Sequence, residues 1–398
     1  MKSIRELYKK GKGPSSSHTM GPEKACKIFK AEQPDADSFK AVLYGSLAKT
    51  GKGHRTDGVI EETFAPAPCK VVFDRETKDI PHENTMDLFA YKSGEETGKM
   101  RVLSVGGGDI KIVGRPEKDL PDIYPHSSFS EIADYCKKKN MRLSDYVEEF
   151  EGEGIYDFLR EVWHTMLNEI DEGLNKTGIL PGGLNVERKA KLLYNSGKSG
   201  ESESTRENRI VCAYAFAASE QNADLGTVVT APTCGACAVL PAVLKYVSDE
   251  KGFSEERILK AVSVAGLIGD IIKENASVSG AECGCQAEIG SACAMASAAL
   301  CELFEMDLGQ IEYASEVALE HYLGLTCDPV CGLVQIPCIE RNAVAAMRAI
   351  NCYSLANFLS GTRKISFDLV VRTMYETGKD MSGLYRETAE GGLAKLYK

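Results

Sequence analysis

Residues 115–128, RPEKDLPDIYPHSS, set three prolines among polar turn formers. Proline lacks a backbone donor and drives the residue before it out of helical space, so the stretch reads as an interdomain linker. The two sides of it differ. Upstream, residues 22–32 read as a helix with proline near its start. Residues 39–47, 70–74, 101–105 and 109–113 read as strands, the last two around Gly106-Gly107-Gly108. Downstream the pattern is nearly all helical: 129–138, 155–174, 205–218, 237–247, 254–273, 291–304, 310–323, 341–359 and 366–377. Several of these helices are rich in Ala, Gly, Ser and Cys. Small residues on every side permit close packing, so such helices belong at the centre of a bundle. The expected fold class is α+β: an N-terminal α/β domain over 1–115, a linker over 116–130, and a larger, mostly α-helical domain over 131–398.

The chain has 398 residues, 43% hydrophobic and 26% charged, which suits a globular protein with a sizeable core. Its formal net charge of −11 argues against a nucleic-acid partner, because phosphate binding needs a basic face. MKSIRELYKKGKG has no apolar stretch of signal-peptide length. The longest buried-looking run, residues 261–269, stops at Asp270 and is too short to span a bilayer. The expectation is a cytoplasmic chain with no membrane partner. Ala-rich helices and a modestly acidic surface are compatible with a homodimer.

Fourteen cysteines are many for a reducing compartment, where they are not disulfides. Only Cys26, Cys69 and Cys136 precede residue 200; the other eleven fall between Cys212 and Cys352. That bias suggests metal binding in the second half. Cys285 in GAECGCQAEIG, Cys327 in HYLGLTCDPVCG and Cys338 in VQIPCIERN each have Gly or Pro within two residues. These settings suit an iron–sulfur cluster, although CxxxCxxxxxxC (Cys327, Cys331, Cys338) is not a ferredoxin spacing and Cys331 is not excluded as a ligand. Three thiolates would leave one iron open as a Lewis acid, which points to elimination chemistry rather than electron transfer. Cys293 and Cys301 sit in an Ala-rich helix and read as core residues. Cys234 and Cys237 form a lone CxxC, for which small core cysteines are the plainer reading.

Three polar segments add candidates. Ser15, Ser16, Ser17, His18 and Thr19 precede Gly21-Pro22 and a helix, a setting for an anion such as a carboxylate. In YGSLAKTGKGHRTD, His54 lies in a glycine-containing turn, where it could act as general base with Asp57 or Thr56 orienting it. His82 to Met86 reads as an exposed turn. The glycine triplet reads as a strand connection, since the spacing and helix of a dinucleotide loop are missing.

GPSSSHTMGP, YGSLAKTGKGHRTD, ENTM, SVGGG, ILPGGL, TAPTCGA, GAECGCQAEIG, GLTCDPVCGLVQIPCIERN and ETAEGGLA, in this order, closely resemble the bacterial iron–sulfur L-serine dehydratases. The resemblance runs over almost the whole chain. It implies a β domain carrying the SSSHT and GKGH segments and a helical α domain carrying a 4Fe-4S cluster. It further implies that Cys285, Cys327 and Cys338 are the ligands, and that His54 is the base. Ser15, Ser16, Ser17, His18 and Thr19 would then surround the carboxylate and amine of L-serine, which would leave as pyruvate and ammonia. Four departures stand out. The segment between Asp57 and His82 looks short. Cys331 replaces a small residue, and Cys234 replaces an Asn. Some members end in a cysteine that fills the open iron at rest, whereas here Leu396-Tyr397-Lys398 end the chain, so water or another residue is expected there. The competing readings are the same elimination on threonine or cysteine, a non-catalytic cluster protein with four thiolates, and a metal-free protein with core cysteines. A pyridoxal phosphate route lacks its lysine setting and phosphate loop.

Overall fold

The computed structural model describes residues 1–116 and 120–397; residues 117–119 of the expected linker lie outside the described residues. The chain opens with β1 (Lys10–Lys12) and α1 (Gly21–Glu32), then β2 (Ser38–Leu43), α2 (Gly45–Thr50), α3 (Thr56–Phe64), β3 (Cys69–Phe73), β4 (Thr85–Lys92), β5 (Glu95–Gly106) and β6 (Asp109–Ile112). Five strands form one sheet in the order β3-β2-β4-β5-β6. β2 and β3 are parallel, which demands a crossover, and α2 with α3 supplies it. The other neighbours are antiparallel, with the glycine triplet turning β5 into β6 as the sequence suggests.

Alternation builds the core of this sheet. Phe39, Ala41 and Leu43 of β2, Met86, Leu88 and Ala90 of β4, and Met100 and Val102 of β5 share one face. Cys26 and Phe29 of α1 and Ile60 and Phe64 of α3 cover it, with Phe39 stacked on Phe64 at 4.1 Å.

Two expectations are corrected here. The strand expected over 39–47 stops at Leu43, because Gly45 takes φ = 52° and the chain turns into α2. The stretch from His82 to Met86 is no exposed turn: Asn84, Thr85 and Met86 are buried, and Thr85 opens β4, inside the sheet.

All nine expected helical stretches are present. They are α4 (Phe129–Lys139), α6 (Ile155–Asn175), α8 (Glu203–Ala223), α9 (Val239–Lys251), α10 (Glu255–Asn275), α12 (Ile289–Leu303), α13 (Leu308–Glu320), α14 (Cys338–Leu359) and α15 (Phe367–Asp380). Four shorter helices, α5 (Leu143–Glu151), α7 (Ala190–Asn195), α11 (Gly280–Cys283) and α16 (Gly392–Leu396), join them. Every residue of α12 is buried, with α9, α10, α13 and α14 around it. Its side chains are mostly Ala, Ser, Gly and Cys, which is why four neighbours can approach it at once. No helix among the described residues is long and apolar enough to cross a membrane.

The first residues belong to the helical body. Met1, Ile4, Leu7 and Tyr8 lie in its core, and β1 pairs antiparallel with β7 (Thr227–Val229). The chain from Lys9 to Ser17 then leads directly to the sheet, so the segment carrying the serines runs between the two bodies.

Candidate active site

A narrow pocket lies where the sheet domain meets the helices. Ser15, His54, Cys285, Cys327, Cys338, Glu288 and Glu387 are among the residues that line it. Sequence positions from 15 to 387 thus converge on one space.

The serine segment is a π-helical turn over Ser16–Met20 that leads into α1. Ser15 caps it, its Oγ accepting from the His18 N–H at 3.1 Å. The Ser16 carbonyl accepts from the Gly21 N–H, and the Ser17 carbonyl accepts from Ser104 Oγ at 2.7 Å. Thr19 Oγ1 donates to the His54 carbonyl at 3.2 Å, and Thr56 Oγ1 donates to the His18 carbonyl at 2.7 Å. These reciprocal bonds lock the serine turn to the α2–α3 connection. Of the five residues from Ser15 to Thr19, Ser15 lines the cavity and the others stand behind it.

His54 lies in the turn between α2 and α3 and is fully buried. Its Nδ1 lies 3.0 Å from the Thr50 carbonyl oxygen. That oxygen only accepts, so Nδ1 carries the proton and Nε2 presents a lone pair. Nε2 has no hydrogen-bond partner among the described residues. The orienting group is therefore the Thr50 carbonyl. Asp57 is paired with Lys52 and Thr56 serves His18, so the expectation that either orients His54 is corrected. Burial holds the His54 imidazole down to about 4, against the opposing Thr50 bond.

His18 packs on His54 with ring centroids 4.3 Å apart. Its Nε2 lies 3.0 Å from Thr50 Oγ1 and 3.1 Å from Ser46 Oγ. Both hydroxyls spend their own protons elsewhere, on the Ser46 and Glu387 carbonyls, so Nε2 carries the imidazole proton. Its Nδ1 lone pair accepts from Ser17 Oγ at 3.0 Å. Burial, and then His54, push His18 well below its usual value.

Three elements deliver the cysteines. Gly284, at φ = 75°, ends α11 and starts the 3-10 turn that opens on Cys285. Cys327 lies in an extended loop, its N–H donating to the Tyr385 carbonyl at 2.8 Å and its carbonyl accepting from the Glu387 N–H at 2.8 Å. Cys338 is the first residue of α14, and burial, then Cys285, raise its thiol well above the usual range. Cys285 and Cys327 are buried and Cys338 is half-buried. A hydrogen bond from the Cys327 thiol, helped by Arg341, draws Cys285 down to about 6 despite burial. The same bond, and burial, raise Cys327. Arg341 donates to the Thr326 carbonyl at 2.8 Å and to Asp328 Oδ1 at 3.1 Å, fixing the loop that carries Cys327.

The remaining cysteines separate from these. Cys331 is exposed, at φ = 55°, and faces a neighbouring surface cavity. Cys234 and Cys237 sit in a small apolar cluster with Val228, as the plainer reading of the CxxC holds. Cys293, Cys301 and Cys352 are core residues.

Sequence reasoning misses Glu288 and Glu387. Glu288 Oε1 accepts from Thr233 Oγ1 at 2.8 Å, and burial, then Cys285, push its carboxyl up to about 8. Glu387 Oε1 stands 3.5 Å from His18 Nδ1 and 3.7 Å from His54 Nε2, and burial raises its carboxyl well above the usual range. The available signal was an acid beside small residues in GAECGCQAEIG and ETAEGGLA.

Comparison with known proteins agrees with this arrangement. The family model of the serine dehydratase beta chain matches residues 3–65, and that of the alpha chain matches residues 82–394. The chain is 39% identical to L-serine dehydratase 1 of Escherichia coli K12 over 448 aligned positions, covering 99% of both chains. It is 40% identical to the L-serine dehydratase of Haemophilus influenzae over 451 positions, with 99% of both covered. It is 38% identical to that of Streptomyces coelicolor over 446 positions, with 98% of both covered. With the three thiols, the buried histidine and matches that span both parts of the chain, this protein belongs to the serine dehydratase family, its beta-type and alpha-type parts fused in one polypeptide.

Proposed function

We propose that this chain is an L-serine ammonia-lyase, converting L-serine to pyruvate and ammonia with a 4Fe-4S cluster held by Cys285, Cys327 and Cys338. The observation that carries the reading is one pocket lined by three cysteines and by His54, whose buried Nε2 has no hydrogen-bond partner among the described residues. The names of the relatives support the substrate.

The residues suit the group. The three thiols form a soft donor set that favours iron–sulfur ligation. Gly280 keeps the space beside them open, since a Cβ there would stand 3.2 Å from Cys327 Sγ and 2.6 Å from Glu288 Oε2. When bound, such a cluster supplies an open iron whose Lewis acidity assists loss of hydroxide from Cβ.

The chain's own groups do the rest. His54 Nε2 takes the Cα proton, with its ring aimed by the Thr50 carbonyl. Ser15 and the turn behind it hold the substrate carboxylate. Glu288 and Glu387 are the acceptors for its ammonium, and that charge restores their ionised forms inside the cavity. Burial keeps water from competing for these bonds. Aminoacrylate is released, and it tautomerises and hydrolyses to pyruvate and ammonia.

The test is purification without oxygen, followed by a serine-to-pyruvate assay on the natural chain and on Cys327→Ala. The variant should lose both the brown chromophore and turnover. A colourless Cys327→Ala protein that still deaminates serine sinks the ligand assignment.

A further inference from the structure

His18, His54 and Glu387 are all buried, and one ligand atom from each lies within 4.8 Å of the others. The mechanism above uses them as organic groups. Two edges of their triangle approach those of a metal centre, and the two imidazole nitrogens, within 4.8 Å of each other, would close in on a bound cation. Ligand atoms about 2.0–2.1 Å from a tetrahedral cation lie roughly 3.3–3.4 Å from one another. Glu387 Oε1 is already 3.5 Å from His18 Nδ1 and 3.7 Å from His54 Nε2.

The tautomers agree with this. Each imidazole gives its only proton away from the trio, His54 to the Thr50 carbonyl and His18 to the hydroxyls of Thr50 and Ser46. Metal-binding histidines are held in this way, with the second nitrogen donating to a carbonyl or other acceptor. The unprotonated nitrogen of each ring is the one near Glu387 Oε1. Ser17 Oγ, now 3.0 Å from His18 Nδ1, would rotate away. A second observation singles the place out: His54 Nε2 is buried and has no partner among the described residues.

We propose that His18 Nδ1, His54 Nε2 and Glu387 Oε1 form a site for one divalent first-row cation, Zn²⁺ fitting it best, distinct from the cysteine trio. Two neutral imidazoles and one carboxylate are common zinc donors. A cation here occupies the lone pair of His54 and the carboxylate assigned to the substrate ammonium. Resting on the functional reading above, the cation therefore competes with L-serine and switches the enzyme off.

The test uses holoenzyme prepared without oxygen, so that the cluster occupies the three cysteines. Equilibrium dialysis against Zn²⁺ should give one zinc per chain, and the zinc X-ray absorption edge should report imidazole and oxygen neighbours with no sulfur. Zn²⁺ should raise the KM for L-serine and leave kcat unchanged. Glu387→Gln should bind zinc at least about tenfold more weakly, with iron and sulfide per chain unaltered. Cys331→Ser, which removes the exposed thiol, should bind zinc like the natural chain. A sulfur-containing zinc shell, no bound zinc, or full affinity in Glu387→Gln overturns the site. Zinc held by imidazole with the KM unmoved overturns the competition. Binding and absorption need no turnover, so a protein that takes zinc at this site yet leaves serine intact contradicts the lyase reading alone. Should Glu387→Gln fail to fold, the zinc edge of the natural chain decides.

Discussion

A proton on the α-carbon of an amino acid is weakly acidic, so its acceptor must be close, aimed and unprotonated. His54 meets the last two conditions by its surroundings. The Thr50 carbonyl fixes the ring and its tautomer, and burial keeps the imidazole neutral well below its ordinary range. His54→Gln keeps a donor for that carbonyl and removes the basic nitrogen. Turnover should fall by about 10²- to 10⁴-fold, with iron and sulfide per chain unchanged. Parallel loss of iron would show instead that His54 holds the fold of the cavity. The sequence pointed to this histidine but not to what orients it. Asp57 and Thr56 are adjacent in sequence, yet the helical turn of α2 and α3 sends one to Lys52 and the other to His18.

At the scale of elements, the helices were the legible part, because small residues and apolar period survive in local sequence. α12 is the clearest instance: its Ala, Ser and Cys content announced a central position, and all of it is buried. α2 and α3 were illegible because the glycines between them resemble a loop. Gly53 is there for a different reason: a Cβ on it would lie 2.6 Å from the Gly332 carbonyl oxygen, so glycine permits the close approach to the Cys331–Gly332 turn. β4 escaped notice although Met86, Leu88 and Ala90 alternate along its core face; Asp87 lies on the opposite face, where Arg101 neutralises the carboxylate with bonds of 2.7 and 2.8 Å. The same close approach governs the bundle. A Cβ on Gly173 of α6 would lie 2.5 Å from the Ala217 carbonyl carbon of α8 and 2.8 Å from its Cα. Backbone cannot step aside as a side chain can. Gly173→Ala should therefore lower stability by about 1–3 kcal/mol, even though alanine alone favours a helix by about 1 kcal/mol. The urea midpoint measures it, and an unchanged or higher midpoint would mean that α6 and α8 can separate without loss.

For the whole molecule, the site closes only when distant parts of the chain meet. Glu387 stands beside His54 because the tail is tied on both sides: the Glu387 carbonyl accepts from Ser46 Oγ at 2.7 Å, Lys49 pairs with Glu390 at 2.8 Å, and the Leu393 N–H donates to Asp328 Oδ2 at 2.7 Å. No local pattern encodes such closure, which is why the cysteines and His54 were legible and Glu387 was not. Burial on this scale also sets how stability responds to pH. Asp270 of α10 is 4% exposed, and its Oδ2 has no partner among the described residues. Burial raises its carboxyl from 3.8 to about 8, with Lys273 opposing. The folded state thus holds a proton that the unfolded chain releases above about pH 4. Its contribution is complete below that pH and is lost as pH climbs towards about 8. His54 acts in the opposite sense. Its folded value of about 4 lies below the ordinary 6.5, so its contribution is lost as pH falls through that interval. Asp270→Asn removes the first of these and leaves the second. The thermal midpoint of the variant should gain on that of the natural chain as pH rises from 5 to 8, while both fall together in acid. Midpoints that run parallel across the whole range would show that Asp270 titrates alike in the folded and unfolded chain.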